Sequence, residues 1–269
     1  MSVLVNGYGA DPHWSSILEA QSPKVSRRQA RVGLVMGLKA SATPPPVSIL
    51  LPHGKAAIML SQTENLYRLQ KKDLLRVGDV LADAFRHDPL WNALFAGVKD
   101  FVKKYPAFFQ TPVAYAMGFG DAYAISENLE GIIAWVPGRF ASMSPWRIIR
   151  SGALSYGMKI GFDMGRRMSV LSVIMKDRKE AMKAKQHIYL FILGVPAALQ
   201  GRGHGTTLVR ALVEQADRDG AWLYLDTETE TNARWYERFG FSVAREVVIP
   251  KVNLPMWEMI REPRTKGVS

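Results

Sequence analysis

The feature that most constrains the fold is an apolar run of strand length that leads through a glycine-rich turn into an amphipathic helix. Residues 188–195 read IYLFILGV, and an uninterrupted run of this kind is typical of a strand buried on both faces of a sheet. Over 203–219 apolar residues recur at spacings of three and four, and Gly220 stands where a helix-ending glycine is expected. With the helices and strands predicted on either side, these elements indicate a mixed α/β fold with one sheet.

The turn between the two elements, QGRGHGT at residues 200–206, predicts a binding site for an anion. Glycines let backbone N–H groups approach a ligand closely. The helix behind them contributes unpaired amides and the positive end of its dipole. Such a turn is best suited to a phosphate group.

Two common classes of phosphate site fit this turn poorly. A nucleoside triphosphatase loop needs a Lys before the Ser or Thr that follows its last glycine, whereas Thr206 follows Gly205 directly. A dinucleotide-binding turn would use Asp226 as its ribose-binding acid. Counting from Gly201, however, Thr206 occupies the place of the third glycine, and too few residues follow Asp226 to complete a doubly wound sheet.

The rest of the pattern divides the chain into a tail, a domain and an insertion. Residues 1–60 show no sustained period and are predicted to be a disordered basic tail. Two alternatives stay open there: segment 24–39 could direct the protein to an organelle, or translation could begin at Met59. The domain is predicted over 61–269, with a helical insertion at 139–186 before the central strand.

Composition narrows the chemistry further. The 269 residues include no cysteine, which excludes disulfides, thiolate metal sites and a cysteine nucleophile. The net charge is +11, but its basic excess lies in residues 1–60 and 144–185, so we infer no general nucleic-acid surface. No helix-turn-helix, zinc or RNA-binding signature accompanies it. No run reaches 18 apolar residues, so no membrane span is predicted.

Two segments in order resemble the GNAT superfamily of acetyl-CoA-dependent N-acetyltransferases. The first is the pattern Gln-x-x-Gly-x-Gly, which begins at Gln200. The second is NARWYERFGF, from Asn232 to Phe241, which is similar to the family pattern Asn-x-x-x-Tyr-x-x-x-Gly-Phe. Three shorter stretches, AFRHDP at 84–89, WVPG at 135–138 and YLDT at 224–227, resemble the puromycin acetyltransferase-like branch.

The resemblance implies a GNAT-type acyltransferase fold, acetyl-CoA as cosubstrate, no metal, and roles for particular residues. The strand that ends at Val195 would offer backbone groups to the pantetheine arm, and the glycine turn would bind the pyrophosphate. Asn232 would hold the pantetheine, and Tyr236 would protonate the departing thiolate, for which a phenol is a suitable acid. The cofactor-binding residues implied are Leu193, Val195, Gln200, Gly201, Arg202, Gly203, His204, Gly205, Thr206, Asn232 and Tyr236.

The base that accepts the amine proton is not assigned by these motifs. Asp226 and Glu228 follow one side of the strand that contains Tyr224, so either could face the cleft, and each is also explained as a solvated or capping carboxylate. His187 is a weaker candidate. Delivery of the proton through water, without a dedicated base, is also open.

The predicted function is direct transfer of an acetyl group from acetyl-CoA to a primary amine of a small molecule through a ternary complex. Alternatives are a non-catalytic acetyl-CoA-binding module and a protein-directed N-acetyltransferase. We predict a cytoplasmic protein without a specific nucleic-acid partner and leave a homodimer open. The insertion 139–186 is predicted to cover the acceptor pocket together with residues 88–91.

Overall fold

The structure, a computed structural model, describes residues 62–264 together with the backbone of Val3 and Leu4. The tail predicted over 1–60 and the targeting segment 24–39 therefore lie outside the described residues, apart from Val3 and Leu4. The alternative start at Met59 lies outside them as well.

The described strands form one mixed sheet, as predicted, in the order β2-β3-β4-β5-β6-β8-β7. Only β5 and β6 run parallel to each other within this path, and every other neighbouring pair is antiparallel. The strands are β1 (Val3–Leu4), β2 (Tyr67–Arg68), β3 (Asp121–Ala124), β4 (Ile132–Pro137), β5 (His187–Gly194), β6 (Trp222–Thr227), β7 (Ser242–Ile249) and β8 (Leu254–Arg261).

Helices precede and follow the central strands in the order that the sequence indicates. The insertion at 139–186 contains four of them, α4 to α7. The helices are α1 (Leu74–Ala84), α2 (Pro89–Phe95), α3 (Phe101–Phe119), α4 (Pro145–Arg150), α5 (Leu154–Ile160), α6 (Phe162–Met168), α7 (Ser172–Ala181), α8 (His204–Asp219) and α9 (Glu230–Glu237). Within the described part of the chain, none of these helices is both long and apolar enough to cross a membrane.

The central strand β5 separates two helical layers. Leu190 and Leu193 belong to a buried cluster that α8 and α9 complete, whereas Phe191 contacts Tyr115 of α3 on the other face. A register shift against β4 explains why Leu190 and Leu193, three residues apart, share a face. On the α3 side a Cβ at Gly194 would lie 2.6 Å from Leu81 of α1, so glycine is needed there for α1 to approach the strand.

The parallel pairing between β5 and β6 is short. It joins His187–Tyr189 to Trp222–Tyr224, and the carboxyl-terminal part of β5 is not paired with β6. Strand β1 pairs in parallel with β5 at Leu193 and Gly194 instead. Beyond Tyr189, β5 therefore parts from β6 but stays paired with β4 up to Gly194, just before the glycine turn where the sequence predicts the candidate site.

Candidate active site

The glycine-rich turn has the left-handed backbone that its composition indicates. Gly201 and Gly203 have φ of +76° and +88°, which L-residues other than glycine adopt only with strain. Gly203 is the residue before α8, which starts at His204. Because the first amides of a helix have no partner within it, they are available to an anion at this turn.

The turn borders a cavity of about 230 Å³. Arg238, at the end of α9, lines this cavity, whereas Arg202 is exposed and is not among its lining residues. The sequence does not reveal Arg238, because its place beside the turn depends on how α9 packs. The lining residues are Val195, Leu199, Gln200, Gly201, Gly203, His204, Gly205, Thr206, Trp235 and Arg238.

Gln200 holds the turn against the central strand. Its side-chain amide donates a hydrogen bond of 3.0 Å to the Val195 carbonyl, five residues earlier. Leu193 is fully buried in the core beneath this segment. Among the residues predicted to bind cofactor, Gln200 therefore fixes the shape of the turn. The Leu193 side chain belongs to the core, and its backbone pairs with β4 and β1.

Helix α9 presents the second motif to the end of β6. Thr229 caps the helix by accepting a hydrogen bond of 3.2 Å from the Asn232 amide. Asn232 and Tyr236 are four residues apart and are both buried, so they lie on the helix face that is turned toward the sheet. The preceding side chain of Trp235 lines the cavity of the glycine turn, which brings the two motifs together.

Glu228 lies directly after β6, at the entrance to α9. Its side chain is buried, with 4% exposure, and both carboxyl oxygens lack a hydrogen-bond partner. Burial, and secondarily the nearby Asp88 carboxyl, raise the pKa of Glu228 well above its ordinary value. A buried carboxyl with a raised pKa and no structural partner is typical of a general acid or base.

The Tyr236 hydroxyl is also buried and lacks a partner in the described structure. Burial raises the pKa of Tyr236 well above its ordinary value, and the negative charge of Glu228 adds to the shift. The phenol therefore stays protonated at neutral pH. A proton acceptor and a proton donor thus lie within electrostatic reach of each other beside the glycine turn.

Asp226 has a different environment from Glu228. The Tyr189 hydroxyl donates a hydrogen bond of 2.7 Å to its carboxylate. Asp226 lies directly opposite Glu258 in the antiparallel pairing of β6 with β8. Of the two carboxylates that the sequence leaves as alternatives for the base, Asp226 is engaged in a fixed network, whereas Glu228 is not.

Asp88 and Glu258 are two further buried carboxyl groups. The sequence predicted Asp88 as part of the cover of the acceptor pocket and did not single out Glu258. Asp88 caps α2 by accepting a hydrogen bond of 2.9 Å from the Trp91 amide, and burial raises its pKa to about 7. Burial, and then the Asp226 charge, raise the pKa of Glu258 to about 7. The cross-strand position of Glu258 opposite Asp226 could have been found only by predicting the register of β8.

His187, the weaker candidate for the base, lies at the opposite end of the sheet. It pairs with Trp222 at the start of β6, whereas Glu228 follows the end of that strand. Its ring packs so closely on Gly138 that a Cβ there would overlap it. The geometry thus separates His187 from the glycine turn.

No group of three or more His, Cys, Asp or Glu side chains is arranged to hold a metal ion within the described residues. Glu228 and Tyr236, both buried and without a hydrogen-bond partner in the described part of the chain, are groups that can exchange protons.

Comparison with known proteins relates this chain to acetyltransferases. Residues 134–241 match the model of the acetyltransferase (GNAT) family. The chain is 27% identical over 210 residues to an uncharacterized N-acetyltransferase of Schizosaccharomyces pombe. The alignment covers 74% of this chain and 84% of that protein.

Two solved structures share the fold. One, from Corynebacterium glutamicum, is described as a histone acetyltransferase and related acetyltransferase; its TM-score is 0.51 at 18% identity, over 76% of this chain and 98% of that one. The other is an agmatine N-acetyltransferase with a TM-score of 0.51 at 13% identity, over 73% of this chain and 98% of that one. At these identities the likeness concerns the fold alone.

Proposed function

We propose, because this chain belongs to the GNAT superfamily of acetyltransferases, that it transfers an acetyl group from acetyl-CoA directly to a primary amine of a small molecule. The observation that carries the proposal is the pair formed by Glu228 and Tyr236. Both are buried and lack a structural hydrogen-bond partner, and Glu228 raises the pKa of Tyr236.

Acetyl-CoA would lie along the carboxyl-terminal end of β5. The amides of residues 201–206 and the Arg238 guanidinium would face the pyrophosphate, and Asn232 would hold the pantetheine arm. The backbone at Leu193 and Val195 would pair with the amides of that arm. Since β1 pairs with the same edge of β5 at Leu193 and Gly194, cofactor binding requires β1 to leave those positions.

In the proposed reaction the neutral amine attacks the thioester carbonyl, and a carbon–nitrogen bond forms as the carbonyl oxygen takes up negative charge. Glu228, as a carboxylate, accepts the proton that the nitrogen loses. The intermediate then collapses, the carbon–sulfur bond breaks, and Tyr236 donates its proton to the departing thiolate. Since the chain contains no cysteine, no acyl–cysteine enzyme intermediate forms.

An assay of thiol release from acetyl-CoA over a panel of small amines tests the proposal. We expect steady turnover with at least one amine, and an increase of several degrees in Tm on addition of acetyl-CoA. Stabilisation by acetyl-CoA without turnover would instead indicate a non-catalytic binding module. Acetylation of lysine peptides in preference to small amines would indicate a protein-directed enzyme. If acetyl-CoA gave no stabilisation and no amine gave turnover, the assignment would be overturned.

Replacing Gly203 with alanine is expected to raise the KM for acetyl-CoA about tenfold. The backbone at this position has φ of +88°, where an L-residue costs about 1–2 kcal/mol, and the added methyl group would stand at the start of α8 where the pyrophosphate approaches. Steady-state kinetics with saturating amine measures the effect.

Gly157→Ala is the matched control, because a Cβ at Gly157 in α5 meets no atom within 4 Å and its backbone does not have a positive φ. The control should leave the KM unchanged. Equal KM values for Gly203→Ala and the wild type would show that the turn does not bind the cofactor.

A further inference from the structure

One edge of strand β5 is covered by β6 only in part. The pairing with β6 ends at Tyr189, whereas the opposite edge of β5 stays paired with β4 up to Gly194. Residues 190–193 are exposed by 4% or less. Because buried backbone N–H and C=O groups are costly unless they are paired, this edge needs a partner. The gap between β5 and β6 is therefore a place for another extended segment.

Strand β1 occupies this gap. Val3 pairs with Leu193, and the two strands run parallel. Leu4 pairs with Gly194. Residues 132–133 of β4 pair with the same two residues of β5. Since a strand has only two hydrogen-bonding edges, β1 lies on the edge that faces β6.

The first residues of the chain suit this place in sequence and in charge. The apolar run from Val3 to Val5 is typical of a buried strand, and Asn6-Gly7 follows it as a turn signal. Burial and the Asp88 charge raise the pKa of Glu228, and the N-terminal ammonium opposes this rise. The start of the chain thus acts on the carboxyl that we propose as the base.

We propose that β1 is an autoinhibitory strand that competes with the pantetheine arm of acetyl-CoA for the edge of β5 at Leu193 and Gly194. This inference rests on the proposed function, in which the arm pairs with the backbone at Leu193 and Val195. One edge cannot hold both, so the arm binds only after β1 has been released. Because residues 5–61 join β1 to the domain, the competition is intramolecular and does not depend on protein concentration.

The competition concerns the arm and leaves the glycine turn accessible. The cavity at that turn is lined by residues between 195 and 206 together with Trp235 and Arg238, and β1 is not among its described lining residues. ADP corresponds to the part of the cofactor that faces the turn and has no pantetheine arm. It should therefore bind equally well whether or not β1 is paired with β5.

Equilibrium binding of acetyl-CoA and ADP, measured by titration calorimetry, tests this inference. The full-length wild type is compared with a variant that lacks residues 1–9. Since the pairing has only two residues, we expect the variant to bind acetyl-CoA with a Kd about tenfold lower, which corresponds to about 1.4 kcal/mol. The Kd for ADP should stay within about twofold. A variant that lacks residues 30–38 loses a segment of equal length but keeps β1, and it should bind both ligands like the wild type.

Thermal unfolding provides a readout that separates competition from structural support. Without β1 the buried edge of β5 has lost its partner, so the Tm of the free variant should decrease, and acetyl-CoA should restore it. A strand that only supports the fold would, on removal, weaken acetyl-CoA binding instead of strengthening it. Val3→Pro combined with Leu4→Pro removes both amide donors without shortening the chain and should reproduce the truncation. This double variant decides the test should the truncated protein fold poorly by circular dichroism.

The outcomes separate this inference from the function on which it rests. An unchanged or higher Kd for acetyl-CoA in the variants without a functional β1 would overturn autoinhibition and leave acetyl-CoA as the cosubstrate. Equal tightening of acetyl-CoA and ADP would overturn it as well, because the effect would not concern the arm. The same tightening in the variant that lacks residues 30–38 would show that β1 is not its cause. Absence of acetyl-CoA binding by the wild type and every variant would overturn the proposed function and this inference with it.

Discussion

Replacing Glu228 with glutamine is expected to lower kcat by about 10²–10³-fold with a much smaller change in the KM for acetyl-CoA. Glutamine has nearly the same shape and keeps the buried site filled, but it cannot accept the amine proton. Since the carboxyl has no structural hydrogen bond to lose, folding should be little affected. Assays of thiol release at saturating acetyl-CoA and amine measure the decrease in kcat.

The pH profile provides an independent readout of the same residue. A base works only when deprotonated, and the pKa of Glu228 is raised by burial and by Asp88. Wild-type kcat should therefore fall as the pH decreases through that raised pKa. This acidic fall in the pH profile of kcat should be absent in Glu228→Gln. Glu230→Gln changes an exposed glutamate two residues later and should retain full activity. Turnover by Glu228→Gln within threefold of the wild type would remove Glu228 from the mechanism.

The elements around the glycine turn were the most predictable part of the fold. The apolar run 188–195, the glycines and the spacing of 203–219 are local signals, and they place β5, the turn and α8 within one residue of their observed bounds. Two features of β5 have no such local signal. Its register shift against β4 and its short pairing with β6 depend on contacts between strands far apart in sequence.

The candidate site was predictable only where its residues belong to one motif. A period of two places Asp226 and Glu228 on the same side of a strand, and this pattern alone cannot rank them as bases. The strand ends at Thr227, and the chain turns at Glu228 into α9, so the two carboxyls have different neighbours. Glu258 lies opposite Asp226 through the β6–β8 register, and Arg238 reaches the turn through helix packing.

The insertion shows the same division. Its helices could be predicted from the sequence, including Pro145 at the first turn of α4 with Ser144 as its cap. Its contacts with the rest of the domain could not be predicted from the sequence. Arg167 donates hydrogen bonds to the carbonyls of Leu94 and Ala96 beside α2, and Arg178 of α7 stacks on Tyr189. Such long-range contacts attach the insertion to the end of α2 and to β5.

Replacing Tyr236 with phenylalanine is expected to lower kcat by about 10²-fold, because the thiolate would leave without a proton donor. The substitution removes one oxygen from a buried ring that contacts Trp235 and Phe241. Since this hydroxyl has no hydrogen-bond partner, its loss should leave the free energy of unfolding unchanged or raise it by up to about 1 kcal/mol. Kinetics and thermal unfolding of the same preparation separate these two effects.

The stability measurement makes this test of the acid decisive. A catalytic phenol predicts a large loss of kcat in a variant whose Tm is at least that of the wild type, whereas a packing role predicts that activity and Tm change together. Tyr156→Phe, a partly exposed tyrosine of α5 near Lys159, controls for loss of a phenol elsewhere and should alter neither quantity. If Tyr236→Phe kept its turnover at every pH, the proton would have to reach the thiolate from water, and Tyr236 would have no part in the reaction.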